Sequence, residues 1–144
     1  MKIETKYHGE MEISEQQIID FDQGIPGFED EQAFIILPLD DDQTFYILQS
    51  TKTPQLGFIM TNPFPFFKDY DFEIEENYIE QLELEKAEDA AVYAILSVKE
   101  NFHDSTANLQ APVIINMKNN RGKQIILTNT NYQTKHKLFQ PAAK

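Results

Sequence analysis

The chain has no cysteine. That excludes a disulfide framework, thiolate catalysis and Cys-ligated zinc, and it fits a reducing, cytoplasmic setting. Long apolar runs are missing too. None approaches the roughly 18 residues a membrane-spanning helix needs, and the opening "MKIETKYHGEMEIS" carries no apolar core of a secretion signal. Metal-ligand and catalytic spacings are equally scarce. His8, His103 and His136 lie far apart, and no G-x-S-x-G, P-loop or G-x-G-x-x-G occurs. Asp40-Asp41-Asp42 lacks the alternating oxygen ligands, central glycine and terminal glutamate of a calcium loop, so it reads as a solvated turn. His103-Asp104-Ser105 holds the atoms of a relay, but adjacent side chains point apart. Paired carboxylates such as Glu75 and Glu76 occur by chance in so acidic a chain. No enzyme and no cofactor is expected.

What is present is negative charge, unevenly spread. Twenty-four acidic residues stand against 12 Lys and Arg, a net of −12 in 144 residues. All the acids lie at or before Asp104, and the stretch after it holds only Lys and Arg among its charges. A balance this negative argues against a general nucleic-acid binder, because phosphate contacts need Lys and Arg. It admits either two signs spread over one surface or an acidic face offered to a basic protein.

Length and the lack of repeats or linkers suit one domain over residues 1–144, large enough to bury roughly 68–70% of the surface exposed when unfolded. Most of it reads as short β-branched or aromatic strands bounded by Gly, Pro, Asn and Asp: 3–7, 11–13, 18–21, 33–37, 45–48, 57–61, 71–74, 91–98, 113–116 and 124–128. "YDFEIE" alternates, with Tyr70, Phe72 and Ile74 on one side and Asp71, Glu73 and Glu75 on the other. "FIIL" and "VII" are continuous apolar runs that suggest burial on both faces. "KNNRGKQIIL" reads as a tight turn into a strand, with Asn119, Asn120 and Gly122 tolerating positive φ. One helix is expected over 75–84, from the spacing of Tyr78, Ile79 and Leu82, and "QPAAK" is expected to fray. The fold class is mainly β: a small closed or partly open antiparallel β-barrel with one short helix.

Two of the five glycines fall in "GIPGFE". Proline presets φ near −65° and glycine accepts φ > 0, so Ile25-Pro26-Gly27-Phe28 reads as a type II turn. "NPFPFFKDY" at 62–70 sets four aromatic rings beside two prolines. They either fill the end of the barrel or line a peptide groove. The basic tail, with Lys118, Arg121, Lys123, Lys135 and Lys137 around Tyr132 and Phe139, leaves a second class open: a small barrel that stacks single-stranded nucleic acid.

Five segments in order, "FDQGIPGFE" at 21–29, "YILQSTKTPQLGF" at 46–58, "TNPF" at 61–64, "NLQAPVIIN" at 108–116 and "GKQIIL" at 122–127, resemble the flagellar assembly factor family, FliW. The resemblance spans nearly the whole chain. It implies a non-enzymatic cytoplasmic β-barrel that binds flagellin and, alternatively, the RNA-binding translational regulator CsrA. Free CsrA represses flagellin mRNA translation. Accumulated flagellin occupies the assembly factor, CsrA is released, and synthesis stops. Antagonism is implied to act apart from the RNA-contacting residues of CsrA. No direct nucleic-acid or membrane contact is implied, and without a heptad seam a monomer is expected.

An RNA-binding partner presents positive surface, which directs attention to the acid-rich stretch 69–89. There Asp71, Glu73, Glu75 and Glu76 form the expected CsrA face. A helical flagellin segment needs an apolar groove, for which Ile25, Phe28, Phe64, Phe66 and Phe67 are the candidates. Gly24, Pro26 and Gly27, with Asn108, Pro112 and Asn116, read as structural: turn formers, a strand-start proline, and amides that bond loop backbone.

Overall fold

A computed structural model describes residues 1–39, 41, 44–128 and 130–139. Among the described residues eleven strands and one α-helix occur in chain order, with three short 3-10 turns between them: β1 (Lys2–Thr5), β2 (Gly9–Glu12), β3 (Ile19–Asp20), β4 (Ala33–Pro38), β5 (Phe45–Ser50), β6 (Gly57–Thr61), α1 (Glu76–Leu82), β7 (Ala90–Ser97), β8 (Thr106–Ala107), β9 (Val113–Asn116), β10 (Arg121–Gln124) and β11 (His136–Lys137). Hydrogen bonding runs β7-β6-β5-β4-β3-β10-β9 and returns to β7, so seven strands close a ring. The edge of β7 is shared. Its first half, Ala90–Tyr93, pairs with β9, while Leu96 and Ser97 pair with β8, which carries β11 outward. The ladders are antiparallel except for one parallel contact, Arg121 with Asp20, between β10 and β3.

Alternation of side chains across each strand explains the architecture. On β4, Phe34 and Ile36 enter one cluster while Ile35 and Leu37 enter another. On β7, Ala91, Tyr93 and Ile95 point one way and Ala90, Val92, Ala94 and Leu96 the other. The shared inward set, with Phe21, Phe34, Leu48, Met60, Val113 and Ile115, fills the barrel. Each such side chain contributes about 1.5–3 kcal/mol by burial. The outer faces are covered as well. The β1–β2 hairpin brings Ile3 and Ile13 onto Ile35, Leu37 and Ile47. The segments around α1 and the C-terminal stretch bring Tyr70, Leu82, Leu109, Ile125, Leu127 and Leu138 onto Ala94, Leu96 and Ile114. The continuous apolar runs are therefore strands covered on both sides.

Two expected elements differ. Residues 71–74 form no ladder, although burial still alternates as in "YDFEIE": Phe72 and Ile74 are half-buried, while Asp71, Glu73 and Glu75 are exposed. The last strong strand is Arg121–Gln124 rather than 124–128, because the four-residue turn after Asn116 sets the register Arg121 to Asn116. In that turn Asn120 takes φ 56°. Gly122 has no such conformation. It is required for space, since a Cβ there would stand 2.7 Å from the Phe21 ring inside the barrel. The Asp40–Asp42 turn, apart from Asp41, and the tail 140–144 lie outside the described residues.

Candidate functional site

The turn at 25–28 forms as the residue types dictate. The Phe28 N–H donates to the Ile25 carbonyl at 2.6 Å, and Gly27 sits at φ 88°. The Gly27 N–H donates to the Glu29 carboxylate at 2.9 Å, and this backbone bond, followed by one from the Glu29 N–H, holds the Glu29 carboxyl below its ordinary range. Gly24, at φ 69°, would place a Cβ 2.6 Å from Glu29 Cα. Beside the turn, the Ser50 hydroxyl donates to Glu31 Oε1 at 2.5 Å and the Thr53 hydroxyl to Oε2 at 2.6 Å; these bonds lower the Glu31 pKa. Gln49, fully buried on β5, accepts the Lys6 N–H at 3.0 Å and donates to the Ser50, Pro54 and Leu56 carbonyls. Sequence reasoning missed Gln49. Its signal was a lone amide ending the apolar run "YIL".

The remaining structural candidates also fix loops. Asn108 Oδ1 accepts the Gln110 and Ala111 N–H groups, and buried Pro112 directly precedes β9. Asn116 is 2% exposed. Its amide donates to the carbonyl of Leu82 at 2.8 Å and of Glu83 at 3.2 Å, at the C-terminal end of α1, while its Oδ1 accepts the Lys118 N–H. The Leu82 carbonyl also accepts from the Asn119 amide at 3.2 Å, so of these two helix carbonyls only that of Glu83 depends on Asn116 alone. Arg121 reaches Glu83 at 3.2 Å and completes the attachment of α1 to the barrel.

The expected apolar groove is not one surface. Ile25 is 2% exposed and belongs to the barrel interior, because the turn folds its side chain inward; it offers nothing to a partner. Phe28 is 42% exposed, with its ring edge-on to Phe58 at 5.5 Å. Phe64 is 40% exposed and packs near Tyr70. Phe66 and Phe67 are half-buried against the outer core, at 6.0 Å from Phe45 and 6.1 Å from the His136 ring. No ring contact among the described residues joins Phe28 to the 64–67 group. Of the latter, Phe66 and Phe67 border a groove of about 400 Å³ completed by Lys68, Asp69, Tyr70, Leu109, Tyr132 and His136. Tyr70 donates to the Leu109 carbonyl at 2.8 Å, and burial first, then Tyr132, pushes its phenol well above the usual range, so it remains a neutral donor.

Asp71, Glu73, Glu75 and Glu76 are all exposed, and none is in an ion pair among the described residues. The Tyr132 hydroxyl accepts the Asp71 N–H at 3.0 Å and donates to the Asp71 carbonyl at 3.1 Å. Beyond this clamp the segment runs between two grooves. One, about 340 Å³, separates Phe72, Glu73, Glu75 and Tyr78 from residues 125–128 and Thr130. The other, about 430 Å³, lies over Phe72, Ile74, Ile79 and Leu84, with Glu85 and Lys86 beside them. The basic residues of the tail are partly engaged with this acidic flank: Lys118 with Asp89 at 3.5 Å, Arg121 with Glu83, and Lys123 over the Tyr78 ring at 5.9 Å. Nor does a relay form at 103–105, where the His103 ring lies against Phe139 and Ser105 Oγ accepts the Lys99 N–H. Among the described residues, no group of three or more His, Cys, Asp or Glu is placed to hold a metal ion, and no helix is long and apolar enough to cross a membrane.

A seven-stranded barrel with a filled interior has its accessible chemistry on the outside, here along an acidic flank and an aromatic edge. The chain belongs to the FliW family, whose model, described as FliW protein, matches residues 2–138. It is 55% identical over 139 residues to the flagellar assembly factor FliW of Geobacillus kaustophilus, covering 96% of each chain. It is 49% identical over 138 residues to that of Bacillus subtilis, again covering 96% of each. A crystal structure of a flagellar assembly factor FliW superposes with a TM-score of 0.94 at 50% identity, covering 99% of this chain and 100% of that one.

Proposed function

We propose that this chain is a cytoplasmic flagellar assembly factor that acts by binding rather than catalysis. It holds flagellin or, alternatively, CsrA, and by holding CsrA it relieves repression of flagellin mRNA translation. Family membership supports assembly as the process. The row of exposed carboxylates at Asp71, Glu73, Glu75 and Glu76, free of ion pairs among the described residues, is the observation that carries the choice of a basic partner. Such a patch raises the rate of encounter with a positive surface and repels RNA approaching the complex. Flagellin is assigned to the groove beside Phe64, Phe66 and Phe67, whose aromatic lining suits an amphipathic segment.

Calorimetric titration with purified CsrA, repeated after saturation with flagellin, tests the reading. Binding that is lost with flagellin supports the switch. Heat from neither protein overturns it. Salt-sensitive binding to RNA in place of both would favour the nucleic-acid class instead.

A further inference from the structure

We infer that residues Phe72–Ile74 are a docking edge to which an extended basic segment of a partner adds as a β-strand. Burial in this stretch alternates with the period of two that a strand shows. Yet it pairs with no strand of the sheet. Its neighbours are anchored: Asp71 by Tyr132 on one side, and the Glu75 carbonyl by the N–H groups of Tyr78 and Ile79 on the other. Between those anchors the backbone N–H and C=O groups of Phe72, Glu73 and Ile74 bond to no protein group among the described residues. A strand-like stretch whose edge has no partner within the chain is a template for another chain.

The grooves on either side leave room for that chain and define its chemistry. Phe72, Ile74, Ile79 and Leu84 offer apolar contact, while Glu73, Glu75 and Glu85 present three carboxylates against the one cation of Lys86. A strand alternating apolar residues with Lys or Arg meets both requirements, with backbone bonds supplying affinity and alternate side chains the selection. Tyr78 already lies under the Lys123 ammonium, so a cation beside this ring has a precedent within the molecule. The inference rests on the reading above only for the identity of the partner.

The test uses the full chain and an eight-residue peptide alternating Lys and Val, followed by CsrA. Alternate N–H groups of a strand point to opposite edges, so exchange of the Glu73 amide, rather than of Phe72 and Ile74, is expected to slow when the peptide binds. Glu73→Gln, which keeps the N–H, is expected to weaken binding about two- to fivefold at low salt. Glu73→Pro, which also removes the N–H, is expected to weaken it by about tenfold more. Peptide binding with the Glu73 amide exchanging as in the free protein overturns the proposal, as does equal affinity of folded Gln and Pro variants. Should the Pro variant not fold, exchange in the unmodified chain decides alone. CsrA binding without protection at 72–74 removes the strand edge and leaves the partner reading. Protection by the peptide without any CsrA binding does the reverse.

Discussion

The turn at 24–31 and the acidic flank at 71–75 are both loops on the outside of one barrel, and they are built on opposite terms. At the turn the backbone is bent into positive φ at Gly24 and Gly27, and the carboxylates of Glu29 and Glu31 accept hydrogen bonds from nearby groups. Along the flank the carboxylates face water and three residues leave their backbone groups unbonded among the described residues. The first region is determined by its own atoms. The second is not so determined. Dense local punctuation thus marks scaffold, and the quieter stretch is the one we propose for binding.

Gly24→Ala should break the first region most severely. Left-handed strain of about 1–3 kcal/mol is joined by a Cβ 2.6 Å from Glu29 Cα, so the urea midpoint should fall well below that of Gly27→Ala, which meets open space. Equal midpoints for the two variants would show that the close approach at Gly24 relaxes. Asn116→Ala comes next, with an expected loss of about 1–3 kcal/mol as the Glu83 carbonyl loses its donor and the Leu82 carbonyl keeps only Asn119. The far-ultraviolet signal of α1 should melt earlier than the barrel's near-ultraviolet signal if Asn116 is the attachment, and together with it if not.

A smaller effect is expected from acid. The Glu31 pKa is lowered from 4.5 by Ser50 and then Thr53. The stabilisation this represents is present above the ordinary glutamate pKa and is lost as pH falls through the lower folded value. Glu31→Gln should flatten that part of the stability–pH curve below about 4.5; a curve of unchanged shape would assign the acid sensitivity elsewhere. Reversal of the flank by Asp71→Lys with Glu73→Lys should change stability least, by no more than about 0.5 kcal/mol, while lowering CsrA affinity and its salt dependence. Unchanged affinity and salt slope would remove the acidic face as the contact.

The sequence made the barrel legible where runs such as "FIIL" and "VII" demanded cover on both faces, and the type II turn where Pro and Gly left few choices. It hid what depends on distant partners. Residues 71–74 alternate like a strand, but no period reveals whether a neighbour supplies the ladder. β8 and β11 are two residues each and exist only because β8 meets β7 on one side and β11 on the other. Ile25 looked available because the turn is exposed, while the bend carries that one side chain into the barrel. The carboxylates of the flank were legible because charged residues seek water whatever the topology.

The ring closes through a single parallel contact between residue 20 and residue 121, and this has a bearing on synthesis. A chain emerging from the ribosome can form the β3–β7 meander early, since those strands are neighbours in sequence and pair antiparallel. It cannot shut the barrel until β9 and β10 follow. Until they do, the nascent protein is an open sheet with two bare edges, and the inner core is sealed only when residues 113–124 join it.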